Sequence, residues 1–176
     1  FTLTPGALYT LRVDFGNDGT FDATGQVHMA SIVDVTNPLP ASLQGNTVAA
    51  AWTDPGAGVS GYAPVYFGIN SHVDGAGDLT PHTMFLTTTT SRVLGSGQPD
   101  PLLGQPNPPL TAGAYDFVVS SSCGPYGVSS GTPGIPSGPN VSGNGTVGYF
   151  YSQSITPEIF YDSNGAAGRP ARATVA

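Results

Sequence analysis

The chain has 176 residues, enough for one domain with a substantial core. Only 9% of the residues are charged and the formal net charge is −7, with no lysine and just four arginines: Arg12, Arg92, Arg169 and Arg172. That inventory excludes the electrostatic footprint of a nucleic-acid or anionic-lipid binder, and Cys123, the single cysteine, excludes an internal disulfide scaffold.

Hydrophobic residues make up 39% of the chain, too many for a disordered acidic polymer. The 25 glycines and 17 prolines fall between short apolar runs and read as turn punctuation. A solvated surface ordinarily carries more charge than this one. The expectation is that neighbouring subunits cover part of it. No apolar run approaches the ~18 residues of a membrane helix, and "FTLTPGALYT" lacks the regions of a signal peptide. The start at Phe1 is expected to mark a processed or excised part of something larger.

In chain order, "ALYTLRVDF" alternates, with Leu11, Val13 and Phe15 on one face and Thr10, Arg12 and Asp14 on the other. "VDFGNDGTFD" follows. An EF-hand loop opened at Asp14 would need ligands at Gly16 and Gly25, where none exist. The Asn-Asp-Gly run between two alternating stretches predicts a β-hairpin instead, ahead of an irregular calcium site on Asp14, Asp18 and Asp22. "TFDATGQVHMASIVDV" is one long extended run in which Gly25 marks a bulge or bend. Next come "TVAAAWT", which holds Trp52, then "APVYFGIN", "HTMFLTTTTSRVL", "GAYDFVVSSS" and "GTVGYFYSQSI".

Helical periodicity is absent. The expected fold is all-β: an antiparallel β-sandwich of jelly-roll-like kind, with seven or eight strands and long Gly/Pro-rich loops. Residues 1–163 form its single domain and residues 164–176 an extended C-terminal arm. Two loops are long, Gly95 to Pro109 with five prolines and Cys123 to Asn144.

Four constellations bear on chemistry. His72, Asp74, Asp78 and His82 are the most metal-like set, but they lie on a Gly-rich connection without repeated ligand spacing, and His28 lies elsewhere; a polar loop is the preferred reading. "GVSSG" matches a hydrolase elbow around Ser129, yet "TPGIPSGPN" after it cannot form the required helix. Cys123 reads as a packing residue. Asn140 and Asn144 each open an N-glycosylation sequon, and Asn144-Gly145 is also a favoured hairpin turn, which is preferred. No catalytic residue, metal site or cofactor is expected.

Aromatics gather near the strands. In adjacent pairs such as Tyr149 and Phe150 one ring must face outward. Outward rings suit stacking on sugar and packing on a neighbouring subunit alike.

"FTLTPGALYTLRVDF", "LTAGAYDFVVSSS" and "GTVGYFYSQSITP" resemble strands from protruding or surface domains of icosahedral virus capsids, in tombusvirus-like plant viruses and in fungal double-stranded RNA viruses. The resemblance implies a non-enzymatic β-sandwich at the virion surface, serving particle assembly or host attachment. It implies as partners its own copies, the capsid shell protein, and a host receptor or glycan, without nucleic acid or membrane insertion. The arm from Asn164 to Ala176, with Arg169, Arg172 and Val175, the long loops after Gly95 and Cys123, and the rings of Tyr149 and Tyr151 are the expected inter-subunit contacts. The alternative is a bacterial extracellular β-sandwich module: an adhesin, a surface-layer unit or a carbohydrate-binding module.

Overall fold

The computed structural model describes residues 3–39, 43–124, 139–143 and 146–164. Every regular element among them is a strand. Two alternating runs come first, β1 (Leu8–Val13) and β2 (Ala23–His28), followed by β3 (Asp34–Asn37), the two-residue β4 (Leu43–Gln44) and β5 (Val48–Thr53). The long β6 (Val65–Val73) and β7 (Leu79–Thr87) lead to β8 (Ser91–Leu94) and the eleven-residue β9 (Gly113–Cys123). Four short strands close the series: β10 (Val141–Gly143), β11 (Thr146–Gly148), β12 (Ser152–Ile155) and β13 (Ile159–Ser163).

They form three sheets. One has the order β1-β2-β10-β11, one is β3-β5-β8, and the largest is β4-β13-β9-β6-β7 with β12 also on β9. All pairings are antiparallel except β13 on β4.

The all-β expectation holds; the strand count differs. Among the described residues thirteen strands stand in place of seven or eight: three runs that look continuous in sequence each hold two strands, and β4, β10 and β13 lie outside the runs that alternation marks. The chain leaves one sheet and enters another at residues 29–33, 88–90 and 149–151, all of which have strand-compatible composition. Gly25 is also corrected. It pairs in regular register with Leu11 and Val141, with no bulge. A Cβ there would lie 2.6 Å from Val141 Cγ2 and 2.9 Å from the Asn140 carbonyl oxygen, so glycine serves the close approach of β10.

The main core follows from alternation. On β5 Val48, Ala50 and Trp52 point inward while Ala49 and Thr53 face out. With Leu94 of β8 they join Tyr66, Phe85, Tyr115, Phe117, Val119 and Tyr161 of the largest sheet in one apolar cluster. The Trp52 ring stacks on Phe85 at 6.0 Å and meets Tyr66 edge-on at 5.4 Å, geometries that suit the aromatic quadrupole. A smaller cluster of Val27, Ala30 and Cys123, with Tyr62 and Phe150 against it, sits beside the first sheet.

The opening acidic stretch is the connection of the β1–β2 hairpin. Asp14 Oδ2 accepts from the Gly19 amide at 2.8 Å, Asp22 Oδ2 from Phe15 at 2.7 Å and Asp18 Oδ1 from Thr20 at 2.8 Å. Asn17 and Gly19 take positive φ, the conformation this turn chemistry tolerates. The carboxylates are spent on backbone amides.

Candidate functional site

Tyr149 and Tyr151 stand outward, 56% and 47% exposed, while Phe150 between them packs inward on the smaller core. The two-residue period of extended backbone dictates this alternation. Asn140 fixes the stretch: its Oδ1 accepts from the Phe150 amide at 2.6 Å and its Nδ2 donates to the Phe150 carbonyl at 2.6 Å. One side-chain amide thus does the work of a neighbouring strand residue. From the other side, Gly124 lies so close that a Cβ would come within 2.8 Å of the Phe150 carbonyl oxygen. Ser152 Oγ then donates to the His28 carbonyl at 2.7 Å and Ser154 Oγ to that of Ala30 at 3.1 Å. These bonds hold β12 against the segment that carries Ile32. Ile32 and Ile155 are both exposed. The two tyrosines are therefore displayed on backbone pinned from both sides.

Asn140 Nδ2, the atom to which a glycan would attach, donates to Phe150 and also to the Gln26 carbonyl at 3.1 Å. Glycosylation there would compete with the bonds that place the tyrosines. Asn144, Ser129 and the arm residues Arg169, Arg172 and Val175 lie outside the described residues.

A dense polar cluster surrounds Asp54, which is only 8% exposed. Its Oδ2 accepts from the hydroxyls of Tyr62 at 2.8 Å and Tyr66 at 2.7 Å, and its Oδ1 from the Gly56 amide at 2.7 Å. Ser31 Oγ lies 3.1 Å from Tyr62 Oη and, with the phenol proton given to Asp54, is the donor of that bond. Burial raises the Asp54 pKa, but the bonds from Tyr66, Ser31, Gly56 and Tyr62 outweigh it, so the net shift is downward. Both tyrosines move the other way, chiefly through burial and then through the carboxylate they donate to. The result is a fixed carboxylate, held by two phenol hydroxyls and a backbone amide.

Beside this knot a crevice of about 220 Å³ is lined by Leu8, Val27, His28, Gly61, Cys123 and Gly124, among others. His28 Nδ1 donates to the Gly6 carbonyl at 2.8 Å, which leaves Nε2 as the basic nitrogen. Cys123 is buried, and burial followed by the Asp54 charge pushes its thiol up to about 12. A nucleophilic cysteine needs the opposite shift, so packing accounts for this one.

The metal-like quartet disperses. Asp74 Oδ1 caps the β6–β7 turn, accepting from Ala76 and Asp78 amides, both at 2.9 Å. The rings of His72 and His82 instead meet Tyr115 edge-on at 5.3 and 5.4 Å. Among the described residues no group of three or more His, Cys, Asp or Glu is placed to hold a metal ion.

Sequence reasoning did not single out Asp54, Asn107, or the pairing of Arg92 with Asp100, whose side chains approach to 3.1 Å. The signals were present but faint. "DPGAG" is an Asx-turn sequence, and Asn107 stands between prolines. No family model matches the chain and no curated protein matches it either.

Proposed function

We propose that the chain is a non-enzymatic structural and recognition domain that acts through surface contacts, set as a protrusion on the outside of a virus capsid. In this reading the three-stranded and largest sheets are the two layers of a β-sandwich of jelly-roll-like kind. The apolar cluster that both sheets share supports that arrangement. The protrusion binds its own copies or the shell protein, and contributes to particle assembly or host attachment.

The observation that carries the proposal is the rigid outward display of Tyr149 and Tyr151. Exposed aromatics held on immobilised backbone contribute contact area at little entropic cost. The groups that could do chemistry are tied into the scaffold instead: Asp54 by two tyrosines, Asp74 by its turn, Cys123 by burial. The capsid setting rests on the resemblance of the three strand segments.

The experiment compares the native protein with a Tyr149→Ser/Tyr151→Ser variant. Wild type should pellet with particles through a sucrose cushion, and electron microscopy should show it as symmetric surface features. The variant should melt like wild type and lose that association. A stable monomer, free of any particle and unchanged by the double substitution, contradicts the proposal.

A further inference from the structure

The three-stranded sheet ends at β8, and among the described residues no strand pairs with its outer side. The hydrogen-bond phase of β8 can be worked out. The Trp52 amide donates to the Thr90 carbonyl at 3.0 Å, so Trp52 and Thr90 face each other as a bonded pair. Bonded and non-bonded pairs alternate along an antiparallel ladder. With Ala50 opposite Arg92 and Ala49 opposite Val93, Arg92 and Leu94 direct their backbone groups to β5. Ser91 and Val93 direct theirs away from it. Two bonds on the far side of β5 agree: Thr36 Oγ1 reaches the Ala51 carbonyl at 3.1 Å and Asn37 Nδ2 the Ala49 carbonyl at 2.7 Å.

On the outer side of β8 the acceptors are already engaged. Asn107 Nδ2 donates to the Val93 carbonyl at 2.9 Å while its Oδ1 accepts from Gly95 at 2.6 Å, and Thr89 Oγ1 donates to the Ser91 carbonyl at 3.1 Å. Among the described residues nothing pairs with the amides of Ser91 and Val93, about 7 Å apart as alternate residues of a strand. They face a slot of about 440 Å³ whose other wall is Ser96, Gln98, Pro99 and Pro101. That wall is well anchored. Asp100 Oδ1 caps the Leu102 and Leu103 amides at 3.0 and 2.7 Å, and its other oxygen meets Arg92 Nη2 at 3.1 Å.

We propose that this slot is a docking site for an extended, proline-bearing peptide segment of a partner protein, which adds to the sheet along β8. The complementarity is one of donors and acceptors. The slot offers two amide donors at strand spacing, with its carbonyls occupied. A second β8 would bring its own N–H groups to carbonyls that already accept from Thr89 and Asn107, so self-pairing is the weaker arrangement. A segment with proline opposite Val93 brings a carbonyl and no N–H to compete with the Asn107 amide for the Val93 carbonyl. Such a segment is also extended before it binds. Pro99 and Pro101 give it an apolar wall. This inference stands apart from the tyrosine face and from the capsid setting.

The test uses amide NMR on the whole chain with the capped peptide Ac-Thr-Pro-Val-Pro-Thr-NH2. The Ser91 and Val93 amides should exchange freely in the unbound protein while those of Arg92 and Leu94 are protected. Peptide should shift the first two and slow their exchange about tenfold or more. The same peptide with alanine for both prolines should bind more weakly. Val93→Pro removes one slot donor without touching the β5 ladder and should abolish binding; Gln98→Trp fills the slot from the exposed wall and should do the same in a fold left intact. The proposal is overturned by any of three results: Ser91 and Val93 as protected as Arg92 in the free monomer, no shift at about 1 mM peptide, or binding that survives Gln98→Trp.

Discussion

Replacing Asp54 with alanine removes the acceptor for the Tyr62 and Tyr66 hydroxyls, the Gly56 amide and Ser31. Tyr62 and Ser31 keep each other as partners at 3.1 Å, so two donors are left stranded, the buried Tyr66 hydroxyl and the Gly56 amide. Each buried donor without a partner costs about 1–3 kcal/mol, which puts Asp54→Ala near a loss of ~4 kcal/mol. In a chain of this size that lowers Tm by about 8–16 °C. Chemical denaturation with a double-mutant cycle gives the decisive reading. Tyr66→Phe deletes the stranded hydroxyl, so the double variant should be about 1–2 kcal/mol more stable than additivity predicts. A loss below about 1 kcal/mol for Asp54→Ala, or strict additivity with Tyr66→Phe, would refute the view of Asp54 as the knot that ties residues 54–66 to the core.

Because the folded pKa of Asp54 lies below its unfolded value, the knot's stabilisation is complete above about pH 3.9 and is lost as pH falls through the folded pKa. Asp54→Asn should flatten that acid limb in pH-dependent melting. His82 is depressed by burial and then by His72, so its contribution is present above about pH 6.5 and lost on acidification through its lowered pKa; His82→Gln should remove that slope. Gly25→Ala should cost about 1–3 kcal/mol by forcing β10 off β2, read as a lower denaturation midpoint with an unchanged slope. The Cys123 thiol, buried and pushed up to about 12, should resist a disulfide reagent at pH 8 in the native state and react on unfolding.

What could be read from the sequence was local. The alternation in "ALYTLRVDF" and "TVAAAWT" and the Asn-Asp-Gly turn identify β1, β5 and the first hairpin because each depends on residues next to one another. Outward placement of Tyr149 around an inward Phe150 follows from the same two-residue period. Strand boundaries were lost where the chain changes sheets through strand-like residues: "HMASIV" between β2 and β3, the threonines before β8, "YFY" before β12. Gly25 looked like a bulge because its real constraint, Val141, lies far along the chain. Asp54 and Asn107 escaped notice for the same reason. Asp54 acquires its meaning from Tyr62 and Tyr66, and Asn107 from Val93 and Gly95, contacts made only once the sheets assemble.

The central claim is that the molecule acts by holding rigid rings out to a protein neighbour. Its most direct test is sedimentation of native material beside the Tyr149→Ser/Tyr151→Ser variant, with melting curves taken on the same samples. Wild type should travel with a large symmetric assembly, and the variant should sediment alone while melting at the wild-type temperature. Identical sedimentation of both as free monomers would contradict it.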